Sequence, residues 1–299
     1  MIARDFQDAS GVHNFFPGQG FLGRLGRRFE GFIGNSLLPM SIVCGNVSAS
    51  AFLATDGLSL PLTLPPAGGS FRRDPGGGTN QASALRRLDA IMAQACPEPR
   101  TEAFRQANLL VNLSVGFLQP VVEAQYGSYA VDQDFPANPG GEWQGIMRTF
   151  ARTIETDMRN AALPTQVAFV GEVSGYDTHV QQGKQSGRLG SLHADWAASV
   201  AGFRSAMIRL GQWNNTLVLD HSEFSRSLIE NGSSGTDHAY ARDAFAFGGA
   251  VRGRGKLGSS GLFGTYPSVL SASGTGSFDL TGGEAAGGSL APGISLEQY

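Results

Sequence analysis

Two compact apolar runs, TQVAFVGEV at 165–173 and NNTLVLD at 214–220, bracket a long helical pattern. No other feature constrains the chain as strongly. The first run lies between Pro164 and Gly175, and the second is entered through a turn. Between them Leu189, Leu192, Trp196, Val200, Phe203, Met207 and Leu210 recur at spacings of three and four, the period of one helix face. Gly211 follows, where a helix stop belongs. Strand, helix and strand with short links predict a crossover between parallel strands. Ligands of such sheets collect beyond the carboxyl ends of the strands, so the residues after 173 and after 220 are the first place to look for chemistry.

The remaining pattern fits an α/β chain. SLLPMSIVCGNV (36–47) and AFAFGGAV (244–251) read as further buried strands. Helices are predicted over 80–95, 100–126 and 142–162, the last closed by Pro164. Four prolines and six glycines over 57–78 predict loop, as does the Gly-, Ser- and Thr-rich stretch from Ser259 onward. A length of 299 residues suffices for one large domain or two smaller ones. A net charge of −3 gives no electrostatic basis for binding nucleic acid. No stretch reaches the ~18 apolar residues of a membrane span. The opening MIARDFQDAS has neither the basic leader nor the apolar core of a signal peptide. Cys44 and Cys96 sit in no metal-ligand spacing; they either pair, in an exported protein, or are core residues.

Three clusters of acidic and imidazole side chains follow the apolar runs. Gly175-Tyr176-Asp177-Thr178-His179 comes after the first, and Asp220-His221-Ser222-Glu223-Phe224-Ser225-Arg226 closes the second. Thr236-Asp237-His238 comes shortly afterwards. Asp and His together suit zinc and similar divalent ions. In extended backbone Asp177 and His179 face one side and can grip one ion together. By the same rule Asp237 and His238 diverge in a strand. They share an ion in a turn, which the Gly232–Gly235 run allows, or they serve two ions. Two ions ~3.5–4 Å apart are a known clamp for the attacking and leaving oxygens of a phosphoryl-type displacement. A GxGxxG match at Gly253–Gly258 runs into Ser259, Gly261 and Pro267 instead of a helix, and so does not read as a dinucleotide site.

GYDTH, LDHSEFSR and NGSSGTDHAYARDAFAFGGAVRG, in this order and spacing, resemble the bacterial family catalogued as domain of unknown function 1501. Gly20-Phe-Leu-Gly-Arg24 and the closing Leu290–Tyr299 segment resemble it too. That family is grouped with alkaline phosphatases and sulfatases. The resemblance implies an alkaline-phosphatase-like α/β fold, a mainly parallel sheet with helices on both faces, incomplete in this chain. It implies one such domain over 1–270 lacking its first strand, then a Gly/Ser-rich segment over 271–299 leading toward a final helix. It implies metal ligands at Asp177, His179, Glu223, Asp237 and His238, with Arg226 meeting an anionic ester group. The implied cofactor is a divalent metal ion such as zinc. The implied activity is metal-dependent hydrolysis of phosphate or sulfate esters, small or polymeric, by a periplasmic or secreted protein. The alternative is a non-catalytic exported binding or assembly protein that keeps the fold.

The departures from the family pattern bear on the site. Tyr176 replaces Trp, Ser225 and Ala239 replace glycines, and Asp243 stands where a further His is frequent. If those two glycines need positive φ, Ser225 and Ala239 carry strain. The family's opening Gly-Gly-x-Asp-Gly does not precede these motifs, and no Ser, Thr or Cys is assignable as nucleophile.

Overall fold

The computed structural model describes residues 41–45, 62–64, 118–160, 168–183, 186–220, 225–239 and 245–249, with single positions at 90, 94, 98, 102, 105, 222 and 251. Gly20–Arg24, Cys96, Glu223, Asp243, Gly253–Gly258 and Leu290–Tyr299 lie outside them. The chain divides into two units, Met1–Val173 and Ser174–Tyr299.

The first unit holds a three-stranded parallel sheet in the order β2-β1-β3, with β1 at Ser41–Gly45, β2 at Leu62–Leu64 and β3 at Ala168–Glu172. Ile42 of β1 is in register with Leu62 on one side and Phe169 on the other. β1 and β3 form within the apolar runs that predict them. β2 falls inside the stretch predicted to be loop. Its Leu-Thr-Leu segment pairs in parallel with β1.

The helix α1, Glu142–Arg159, ends three residues before the predicted limit of 162. Asn160 stops it by donating its side-chain amide to the Thr156 carbonyl. All residues from Gly145 to Thr153 are buried, Arg148 and Arg152 included. A buried guanidinium must find partners. Arg152 pairs with Asp132 (Nε to Oδ1, 2.6 Å), both side chains 1% exposed. It also donates to the carbonyls of Val121, Ala124 and Gln125 at 3.1, 3.1 and 3.3 Å. Residues 118–123 are helical, and their terminal carbonyls have no partners within the helix. Arg152 supplies those partners, and the helix predicted to reach 126 ends at 123 instead. Glu155 accepts from the Ala130 and Val131 amides at 3.0 Å, fixing the 3-10 turn Ala130–Asp134.

In the second unit the helix α2, Arg188–Arg209, carries the seven-residue apolar stripe of the sequence on its covered side. Phe203 and Met207 are buried and the other five are partly covered. Gly211, at φ +68, follows the helix as its stop. Beyond it lies a short antiparallel pair. β4 is only Val218–Leu219, and it runs antiparallel to β7, Ala246–Phe247. Two local features shape this pair. Trp213–Asn215 winds into a 3-10 turn, consuming the start of the apolar run. Gly248, at φ +141, and Gly249 lie against the Thr216 and Trp213 carbonyls so closely that a Cβ has no room. The Gly-Gly step therefore brings β7 beside β4. A second antiparallel pair joins β5, Ser225–Glu230, to β6, Thr236–Ala239. Among the described residues no helix is long and apolar enough to cross a membrane.

Candidate metal centre

Two segments of the second unit build the site. The first follows Gly175, which at φ +102 takes a conformation open mainly to glycine. Tyr176 anchors the segment on α2, its hydroxyl donating to the Leu192 carbonyl at 3.1 Å and its ring meeting His193 edge-on. Thr178 is 1% exposed, and its hydroxyl donates to Gln182 Oε1 at 2.9 Å. With Thr178 turned inward, alternation puts Asp177 and His179 together on the outer side.

The second segment is the β5–β6 hairpin. Asn231 organises its tip. Its Oδ1 accepts from the Ser233 and Gly235 amides at 2.9 and 3.0 Å, and its Nδ2 donates to the His179 carbonyl at 3.0 Å and to Asp237 Oδ1 at 2.9 Å. Backbone bonds stitch the two segments together. Gln181 and Gln182 donate to the Ser233 and Ser234 carbonyls at 3.0 and 2.9 Å, and Thr236 donates to the Thr178 carbonyl at 3.2 Å. Gly235 is buried against the Thr178 and His179 carbonyls, in a space that excludes any Cβ.

This docking converges three donor atoms. His179 Nε2 and His238 Nε2 are 3.0 Å apart, His238 Nε2 and Asp177 Oδ1 are 3.0 Å apart, and His179 Nε2 and Asp177 Oδ1 are 3.1 Å apart. The result is a nearly equilateral triangle. Metal–ligand distances of ~2.0–2.1 Å in a tetrahedral site separate ligand atoms by roughly 3.3 Å. The triangle therefore needs to open by only a few tenths of an ångström, and each of the three side chains is about half exposed, so solvent reaches it. An ion held by these three atoms in a tetrahedral site would have one position open.

Asp237 does not join the triangle. It meets the other ring nitrogen of His179, Nδ1, at 3.1 Å. A carboxylate only accepts, so when Nε2 offers its lone pair to a cation, Nδ1 keeps the proton and donates it to Asp237. A carboxylate behind a ligating imidazole fixes its tautomer and orientation in this way. Asp237 and His238 are adjacent in β6, and the His179 ring meets one through each of its two nitrogens. The Asp177 carboxyl is held below the usual carboxylate range, chiefly by its hydrogen bond with His238, with Arg226 adding to the effect and desolvation opposing it. Asp237 is held low first by the Asn231 amide and then by His179.

Arg226 reaches the same place. Its Nη1 pairs with Asp177, its Nε donates to Thr236 Oγ1 at 3.2 Å and its Nη2 donates to the Thr236 carbonyl. Ser225 and Ala239 face each other across β5 and β6. Neither takes a positive φ, so the strain considered for them does not arise.

The family described as Protein of unknown function (DUF1501) matches residues 72–271. The chain belongs to this family. No curated protein and no solved structure matches it. The DUF1501 match spans all the residues of the triangle, together with Asn231, Gly235 and Arg226. Within the DUF1501 motifs, sequence reasoning picks out Asp177, His179 and His238 but overlooks Asn231 and Gln182 as positioning residues. Asn231-Gly232 between two strand patterns is a hairpin signal that could have located the tip. Gln182 has no comparable signal.

Proposed function

We propose that Asp177, His179 and His238 hold a divalent cation, zinc by the character of the donors, and that the chain is a metal-dependent hydrolase of phosphate or sulfate esters. The observation that carries this reading is the triangle of one carboxylate oxygen and two imidazole nitrogens with edges of 3.0–3.1 Å. Three protein ligands and an open position are the arrangement of catalytic zinc sites. A bound ion there would act as Lewis acid toward an ester oxygen and lower the pKa of a water. The chain's own residues supply the rest. Asp237 holds the His179 tautomer, Asn231 holds Asp237, and Arg226 brings a guanidinium suited to a tetrahedral anion. The fold that accompanies this reading is the alkaline-phosphatase-like α/β sandwich, the parallel β2-β1-β3 sheet being its supporting element. Export to the periplasm or beyond belongs to the same reading.

The test is turnover of aryl phosphate and aryl sulfate monoesters by the metal-loaded protein, before and after chelation. Turnover that disappears on chelation, returns with zinc and is lost in His238→Ala supports the hydrolase. A protein that binds zinc stoichiometrically yet hydrolyses neither ester class is instead a metal-binding protein without this chemistry. That outcome favours the binding or assembly role.

A further inference from the structure

Arg226 is tied to the metal triangle in a way that an anion-binding arginine does not require. Two of its nitrogens are committed to Thr236, one to the hydroxyl and one to the carbonyl. Thr236 is held in turn, its hydroxyl donating to Gln182 Oε1 at 2.5 Å. These bonds station the guanidinium beside the triangle whatever Asp177 does, and the Arg226 side chain is 16% exposed against 56% for Asp177. The third nitrogen, Nη1, is directed at Asp177 Oδ1, the same oxygen that forms one vertex of the triangle.

That oxygen therefore faces three nitrogens: His179 Nε2, His238 Nε2 and Arg226 Nη1. A carboxylate oxygen has two lone pairs. A cation seated on the triangle claims one and repels the guanidinium.

Resting on the metal-site reading above, we propose that Arg226 is the resident counter-ion of the site. It neutralises Asp177 until a divalent cation takes that carboxylate, and only then does its Nη1 become available to a tetrahedral oxyanion. Metal and oxyanion then bind with positive coupling, and by linkage each tightens the other to the same degree. The substrate class that follows is a dianionic or monoanionic tetrahedral ester group, phosphate or sulfate, recognised by the ion and by one guanidinium edge together.

The test is a calorimetric zinc titration of the protein at constant ionic strength, in chloride and in sulfate, for the unaltered chain and for Arg226→Gln. Circular dichroism verifies that the variant is folded. In chloride the variant should bind zinc roughly tenfold more tightly, the effect of removing one charge ~6 Å from a dication in a water-like medium. Sulfate should tighten zinc binding to the unaltered chain by about 5-fold or more, the lower end of site-to-site couplings. It should give no such gain in Arg226→Gln. Zinc association with sulfate in the buffer affects both proteins alike and cancels in the comparison. Weaker or unchanged zinc binding by Arg226→Gln would overturn the counter-ion role and make Arg226 a support for Asp177. An equal sulfate effect on both proteins would overturn the coupling. If neither protein binds zinc, or if His238→Ala binds it unchanged, the metal-site reading itself fails and the counter-ion role falls with it.

Discussion

Gly235 lies against the carbonyl of His179 so closely that hydrogen is the largest substituent its α-carbon can carry. The contact joins the hairpin tip to the loop that bears Asp177 and His179. Gly235→Ala must push the two apart, at a cost of about 1–3 kcal/mol for overpacking, and should lower zinc affinity as well as stability. Gly232, three residues earlier, has open space where its Cβ would be. Gly232→Ala should shift stability by no more than about 0.5 kcal/mol. Urea denaturation midpoints and zinc titrations of the two variants check this pair of outcomes.

On the proposed metal assignment Asp237 acts through the His179 ring, and its removal should weaken zinc binding without abolishing it. Asp237→Asn is expected to reduce zinc affinity about 10–100-fold, the usual effect of losing a carboxylate behind a ligating imidazole. Asp177→Ala removes a donor of the triangle itself and should cost more. Competition against a chelator of known affinity gives the two numbers.

Acid should loosen the metal-free second unit. Asp177 and Asp237 both have native pKa values below the ordinary carboxylate range. A depressed native pKa means that the unfolded chain binds the proton at higher pH. The stability these groups contribute is therefore fully present above their unfolded values of roughly 3.9, and it is lost as pH falls through the depressed native ones. Both side chains are more than half exposed, so the effect should be modest and should shrink with added salt. Asp237→Asn should lose less stability than the unaltered chain between pH 6 and pH 3, as measured by urea midpoints without metal.

In the first unit Arg152 links α1 to the end of the helical residues 118–123 and to Asp132. Arg152→Met should destabilise this unit by about 3–5 kcal/mol, because Asp132 is left buried without its counter-charge. Replacing both members, Arg152→Met with Asp132→Leu, should cost less than the single change. The helical carbonyls then still lack donors, so full recovery is not expected. Thermal unfolding followed by circular dichroism distinguishes these cases.

Periodicity made α2 legible to within a residue, because its stripe from Leu189 to Leu210 faces one side and Gly211 ends it. It also located β1 and β3, compact apolar runs with turn formers at their edges. Periodicity could not choose a partner for the run at 214–220. The Gly248-Gly249 approach to Thr216 and Trp213 decides that pairing, and it is a contact between residues about thirty positions apart. That Asp177, His179 and His238 belong to one cluster was legible from residue type and from motifs that follow apolar runs. The division of labour between Asp237 and His238 was not, since it depends on one imidazole presenting its two nitrogens to opposite neighbours. Arg226 was legible as a cation near the site, but its pairing with Asp177 arises only from the hairpin that sets Arg226 opposite His238.

The most direct measurement is a zinc titration of the unaltered chain beside His238→Ala, with stoichiometry read by calorimetry and by native mass spectrometry. One equivalent of zinc, displaceable by a chelator and lost or greatly weakened in the variant, is the predicted result. Zinc that is absent from the unaltered chain, or held equally well without the His238 imidazole, contradicts the assignment of Asp177, His179 and His238 as a metal centre.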